Sequence, residues 1–186
     1  LVENRKVENY VDMALYYARM DAVYKDYMIA ETNLQEVAQQ VLLQNKYYLI
    51  QSHVKAEVAC PDTVYSDKKW IAFILNQLIQ NSVKYGRSEG THIQIVTKKT
   101  KSGVLLWVKD DGIGIPKEEL TRIFEKGFTG TNGRNRERST GMGLYLCRKL
   151  CDKLNIEIRA ESAEGKGTEI ILMFPVSDYL TGYRET

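Results

Sequence analysis

Two strand pairs, each closed by a short glycine-bearing turn, leave few folds open to this chain. Residues 92–100 and 104–109 read as strands joined by Lys101-Ser102-Gly103, and residues 156–161 and 168–174 as strands joined around Ala163-Glu164-Gly165-Lys166-Gly167. Strands closed in hairpins run antiparallel, whereas a doubly wound parallel sheet needs a helix between successive strands. The expected class is α+β: a two-layer α/β sandwich with a mixed, mostly antiparallel sheet packed on helices.

The helices are legible between and before these pairs. In residues 1–20, Val7, Val11, Ala14 and Ala18 recur at spacings of four, three and four, the pattern of a short helix with a narrow apolar seam. Residues 27–30 predict a short strand, and Asn33 with Glu36 forms a capping box opening a helix to about residue 52. Residues 54–60 are β-like and stop at Pro61. Ser66 can cap a second long helix that turns Trp70, Ile71, Ile74, Leu75, Leu78 and Val83 toward a core and ends near Gly86. A short helix is expected at 118–124 and a longer one at 141–154. Residues 127–140, poor in apolar side chains and carrying Arg134, Arg136 and Arg138, predict a mobile loop, and the tail beyond Pro175 a loosely held end.

Composition narrows the function. With 186 residues, 44% of them hydrophobic, one good core can form, and 26 basic against 24 acidic residues leave a net charge of +2. That balance lacks the broad positive field of a dedicated nucleic-acid binder, so any anion must be held locally. Three cysteines, Cys60, Cys147 and Cys151, are odd in number and fit a reducing compartment and core packing better than a disulfide framework. The apolar runs 104–108 and 170–174 fall far short of the roughly 18 residues of a membrane span, and no signal-peptide pattern opens the chain. The chain starts on Leu1 and not on Met, which reads as a portion of something longer.

The stretch KDDGIGIP, residues 109–116, carries the first chemical signal. It lacks the Lys-Ser/Thr pair of a P-loop, the third glycine of a dinucleotide fingerprint and the alternating carboxylates of a calcium loop. What remains is a strand-end Asp110 beside Gly112 and Gly114, with isoleucines to line an apolar slot. An adenine suits that set, since its exocyclic amine donates and its faces need apolar contact; a plain strand-end turn is the alternative. In NQLIQNSVKYG, residues 76–86, Gln77, Asn81 and Tyr85 share a helix face with Lys84 beside it. An amide oxygen at Asn81 can enter an otherwise watery magnesium shell, and Lys84 offers a charge to phosphates. STGMGLYLC, residues 139–147, places glycines at a helix start, where free N–H groups and the helix dipole attract phosphate.

Taken in this order, these segments resemble the catalytic and ATP-binding domain of bacterial two-component sensor histidine kinases, within the superfamily that includes gyrase, the Hsp90 chaperones and MutL. NQLIQNSVKYG is similar to the family's N box, KDDGIGIP to its first glycine box, RIFEKGFTG to its F box, STGMGLYL to its second glycine box and GKGTEI to its third. Helical and lid details also resemble the bacitracin-sensing branch. The resemblance implies the Bergerat ATP-binding fold, with ATP and magnesium as ligands. It implies that Asn81 coordinates magnesium, that Asp110 binds the adenine amine with Gly112 and Gly114 beside it, and that Tyr85 and Ile115 flank the ring. Thr168 would help bind the base through water. Lys84, Lys126 and the turn of Gly141, Met142, Gly143 and Leu144 would hold phosphates. Residues 127–140, with Thr129, Arg134, Arg136, Arg138 and Thr140, would form the ATP lid.

The same resemblance divides the chain into the end of a dimerisation helix hairpin at 1–20, a linker at 21–26, the catalytic domain at 27–176 and a tail at 177–186. It implies a homodimeric kinase in the bacterial cell membrane, with this portion on the cytoplasmic side, passing phosphate to a histidine on the dimerisation domain and on to a response regulator. No catalytic residue is assigned, because neither His53 nor His92 lies in an acceptor-type setting. Gln77 stands where the family often has Asn, and where hydrolytic relatives place a Glu that activates water. An amide cannot take that proton, which disfavours an ATP-driven clamp of the gyrase or Hsp90 type. A serine kinase of the anti-sigma factor type and a module that has lost nucleotide binding are rival readings of the same residues.

Overall fold

The computed structural model of the chain describes residues 11, 27–131 and 140–176. The expected seam helix (residue 11 apart), the linker, Arg134, Arg136, Arg138 and the tail lie outside them. Five strands form one sheet in the order β2 (Val54–Ala59), β4 (Thr91–Thr100), β5 (Gly103–Asp110), β7 (Thr168–Pro175), β6 (Glu157–Ser162). The two expected hairpins are its centre and one edge. In register, Ile93 pairs with Asp110 and Asp110 with Thr168, which brings the end of β5 beside the start of β7. At the other edge β2 runs parallel to β4.

Helices α1 (Leu34–Gln44), α3 (Lys68–Lys84) and α4 (Gly143–Lys153) cover one face of that sheet. The core lies between the layers: Ile71, Ile74, Leu75 and Leu78 of α3 and Leu146 and Leu150 of α4 are buried with Ile93, Ile95, Leu106 and Leu172 of the sheet. Every apolar position assigned to the long helix faces inward. The cysteines belong to this core. Cys147 and Cys151 occupy the buried face of α4, and the Cys60 thiol donates to the Ile95 carbonyl at 3.1 Å.

Local corrections have physical causes. The helix expected to 52 breaks at Asn45, whose buried amide bonds Val41 O at 2.9 Å and Asn76 Oδ1 at 2.8 Å, leaving a separate α2 (Lys46–Gln51). The strand expected at 27–30 lies at β1 (Ala30–Asn33), paired with β3 (Thr63–Ser66), a four-residue strand that periodicity does not reveal. The helix expected at 118–124 is a run of turns closed by bonds three residues apart, such as Arg122 N to Glu119 O at 2.9 Å. Asp67 caps α3 in place of Ser66, which stays in β3. Its Oδ1 accepts from Lys69 N at 2.9 Å and Trp70 N at 3.3 Å, and its Oδ2 from Met28 N at 2.9 Å. Asp67→Ala is therefore expected to lower stability by about 1–2 kcal/mol in urea unfolding, with Asp67→Asn clearly milder. Equal losses in the two variants would show that the cap bonds contribute little.

Candidate functional site

The end of α3, the loop after β5 and the start of β7 meet over an apolar cleft of about 730 Å³, counting the part open to solvent. Its walls include Leu78, Asn81, Ser82 and Tyr85 from α3, Asp110, Gly114, Ile115 and Pro116 from the loop, and Thr168 and Ile170 from β7. Glu119, Ile123, Phe128, Thr129 and Gly130 close one side and Leu144 of α4 another. Such a lining, mostly apolar with a few polar groups, suits a small organic ligand.

Of the two acids in KDDGIGIP, only Asp110 turns inward. Its Oδ1 accepts from Gly112 N at 3.0 Å and Thr168 N at 3.2 Å, and its Oδ2 from Ser82 Oγ at 2.8 Å. Burial pushes its pKa above the ordinary carboxylate range, against the three hydrogen bonds, which favour the charged form; neighbouring Asp111 adds to the rise. Asp111 is exposed and takes the backbone N–H of His92 at 2.7 Å.

The glycines of this loop meet protein, not open space. A Cβ at Gly112 would stand 2.6 Å from the Tyr85 carbonyl oxygen, and one at Gly114, where φ is +71°, would overlap the Ala163 carbonyl. Ile113 N donates to Tyr85 O at 3.0 Å, Gly165 N to Ile113 O at 2.7 Å and Ile115 N to Ser162 Oγ at 2.9 Å. The Arg87 guanidinium donates to the carbonyls of Gly112 and Gly165. These bonds tie the end of α3, the 111–116 loop and the 163–167 turn into one wall.

Residues 127–141 leave from a closed neck. Gly127 N donates to Gly141 O at 3.0 Å, and Gly141, at φ +64°, has no room for a side chain against the Gly127 backbone. The loop's first residues rest on Glu119, whose Oε1 accepts from Thr131 N at 2.8 Å and Thr131 Oγ1 at 2.7 Å, and the Arg122 guanidinium lies 4.6 Å from the centre of the Phe128 ring. Thr140 Oγ1 accepts from Met142 N at 3.3 Å, next to the start of α4, where Met142 supplies no side-chain cap.

Most residues singled out in the sequence converge. Asn81, Tyr85, Asp110, Gly114, Ile115, Thr129, Leu144 and Thr168 line the cleft. Gly112, Lys84, Lys126, Gly141, Met142 and Gly143 are not in its lining; Lys84 lies with its ammonium 5.7 Å from the Tyr85 ring centre. Gln77 is buried, and a Cβ on Gly143 would stand 2.9 Å from its Oε1, so its amide and that glycine fit each other. Ser82 and Glu119 were not foreseen. The signal for Ser82 was a hydroxyl four residues after Leu78, on the helix face otherwise turned to the core. His53 is exposed at φ +54°, and His92 Nε2 sits 3.3 Å from Glu57 Oε1, neither of them in the cleft. Among the described residues no group of three or more His, Cys, Asp or Glu could hold a metal ion.

The family model described as histidine kinase-, DNA gyrase B- and HSP90-like ATPase matches residues 66–178. The chain belongs to this ATPase family. Among curated relatives, the sensor histidine kinase YxdK of Bacillus subtilis is 34% identical over 92% of this chain and 54% of its own length. The sensor protein kinase GraS of Staphylococcus aureus is 35% identical over 96% of this chain and 51% of its own. The chain thus spans about half the length of the curated relatives it matches. Of solved structures, the catalytic domain of histidine kinase ThkA superposes with a TM-score of 0.68 at 26% identity, over 80% of this chain and 97% of that one. The ATPase family's sheet-on-helix architecture is the one found here, and no described helix is long and apolar enough to cross a membrane.

Proposed function

We propose that the chain is the ATP-binding, phosphate-donating part of a sensor histidine kinase. The observation that carries this reading is Asp110: a half-buried carboxylate held by three protein donors, with acceptor capacity left over, on the wall of an apolar cleft. An acceptor so placed suits the exocyclic amine of adenine, and Tyr85, Ile115 and Ile170 supply apolar surface for its faces. Thr168, in the same lining, shares a water with the base. Asn81 is the one protein ligand proposed for magnesium, an ion that ordinarily keeps most of its shell as water and phosphate oxygen. When bound, magnesium neutralises phosphate charge. Lys84, Lys126 and the amides of Gly141, Met142, Gly143 and Leu144 hold the phosphates, and residues 127–140, Arg134, Arg136 and Arg138 included, close over them as a lid.

The phosphoryl step needs little covalent help from such a site. The bond from the γ-phosphorus to the β-bridging oxygen breaks, a bond to an imidazole nitrogen of the acceptor histidine forms, and ADP leaves with the electron pair. A neutral imidazole is already a nucleophile, so placement is the main demand. The buried amide of Gln77 supports transfer to such a group over hydrolysis, since it cannot take a proton from water. We place that histidine on a dimerisation domain, to which residues 1–20 belong, joined by a linker at 21–26 to a catalytic domain at 27–176. The intact protein is then a membrane-bound homodimer that passes phosphate to a response regulator from the cytoplasmic side.

Two measurements test this. In calorimetry, magnesium is expected to raise ATP affinity of the unaltered chain, and Asn81→Ala to cut the gain at least tenfold. Equal gains in both would remove Asn81 from the metal. In a mixture of this chain, γ-labelled ATP and a separately prepared acceptor hairpin of a relative such as GraS, the label should arrive on histidine. Label on serine, or rapid release as inorganic phosphate, would reject the kinase reading.

A further inference from the structure

We propose that Ser82 is a specificity-determining residue of the cleft: its hydroxyl keeps the Asp110 carboxylate an acceptor, so that the cleft takes a 6-amino purine and rejects a 6-keto purine. The inference rests on reading the cleft as the purine site and adds a role in selectivity for a side chain which that reading counts only as one of three donors to Asp110.

A carboxylate offers about four lone-pair directions and no proton. Here three are taken: two on Oδ1 by the N–H groups of Gly112 and Thr168, and one on Oδ2 by Ser82 Oγ. The remaining direction belongs to Oδ2, the oxygen that Ser82 holds. If Asp110 were protonated, its proton would settle on Oδ2, because Oδ1 already faces two donors. The group would then donate at that oxygen, and a keto oxygen on the purine would be matched where an amine would not.

Burial pulls Asp110 toward the neutral form and its three hydrogen bonds pull it back, Ser82 first among them. The two backbone donors do not depend on the side chains at 112 and 168. Ser82 is the adjustable one. It is itself 4% exposed on α3, so water cannot readily replace its hydroxyl. It also guards the protonated form, because a rotated hydroxyl can accept the Oδ2 proton and keep it from the ligand. The charged and titratable neighbours do not substitute for it. Asp111 repels the charged form; Lys109 on β5 is paired with Glu169 of β7 at 2.9 Å; Arg87 serves the Gly112 and Gly165 carbonyls; and Lys84 lies over the Tyr85 ring.

The test compares ADP with IDP, which differ in the amino or keto group at purine position 6, by titration calorimetry of the whole chain between about pH 5 and pH 8. The unaltered chain is expected to prefer ADP throughout most of that range. In Ser82→Ala the preference should fall by about tenfold, and the fall should begin at a higher pH than in the unaltered chain. Ser82→Thr, which keeps the hydroxyl, should restore both. Ser82→Cys fills the space of the hydroxyl with a slightly larger and much weaker donor and should behave like Ala, so it carries the comparison if Ala proves unstable. A preference in Ala and Cys equal to that of the unaltered chain at every pH would overturn the proposal, and so would a loss of the same size at all pH values, which marks simple loosening. An unaltered chain that held ADP and IDP equally, or neither, would instead overturn the adenine reading on which this one stands.

Discussion

Asp110→Asn is expected to cost about 100-fold or more in ATP affinity while leaving the nucleotide-free fold at least as stable as before. The amide oxygen can replace Oδ1 toward Gly112 N and Thr168 N, and the amide nitrogen can donate to Ser82 Oγ, so the local frame survives. What is lost is the acceptor: an N–H would face the adenine amine, donor against donor, with a buried group unsatisfied on each side. The stability half follows from the sign of the pKa shift. Burial raises Asp110 above its unfolded value, so the folded chain binds the proton more tightly, and this group's contribution to stability rises as pH falls and declines as pH rises through the raised value. At neutral pH the charge is a cost that Asn removes. Calorimetric titration and a thermal melt at pH 7 read the two halves separately. Unchanged affinity would remove Asp110 from the site, and a melt lowered by several degrees would contradict the burial argument.

Gly114→Ala should be strongly damaging for the addition of a single methyl group. At φ +71° an alanine costs about 1–2 kcal/mol in backbone conformation alone. Its Cβ would also overlap the Ala163 carbonyl, which is main chain and cannot swing aside, adding about 1–3 kcal/mol of overpacking. Gly165 is the control. It has the similar φ of +74° but nothing within 4 Å of an added Cβ, so only the conformational cost applies. Urea midpoints should fall clearly further for Gly114→Ala than for Gly165→Ala, and ATP binding should weaken only in the first, where Ile115 is displaced. Equal effects in both would mean that the 111–116 loop does not depend on its contact with the 163–167 turn.

Much of this was legible in the sequence because the informative features are local. The hairpins β4–β5 and β6–β7 announce themselves by residue pattern and glycine turns, and α3 by its apolar stripe. The features that escaped depend on partners distant in sequence. Asn45 breaks a helix because it bonds Asn76, β3 exists because β1 is there to pair with it, and β2 is parallel to β4 through a choice that no local period encodes. Ser66 and Asp67 are adjacent and both can cap, and the bond from Met28 N singles out Asp67. In the site, residue types and spacing pointed to Asn81, Tyr85 and Asp110, and these do share a cleft. Ser82 and Glu119 stayed hidden, since a hydroxyl or carboxylate gains its meaning from the atom it faces.

The buried thiols have a practical consequence. Burial pushes Cys60 up to about 11, Cys151 up to about 12, and Cys147 well above the ordinary thiol range, so none offers an accessible thiolate near neutral pH. The unaltered chain is therefore a quiet background for thiol chemistry. A single cysteine introduced on the surface can take a maleimide dye or spin label without first stripping out the native three, and a pair placed across the cleft would report distances in the wild-type core.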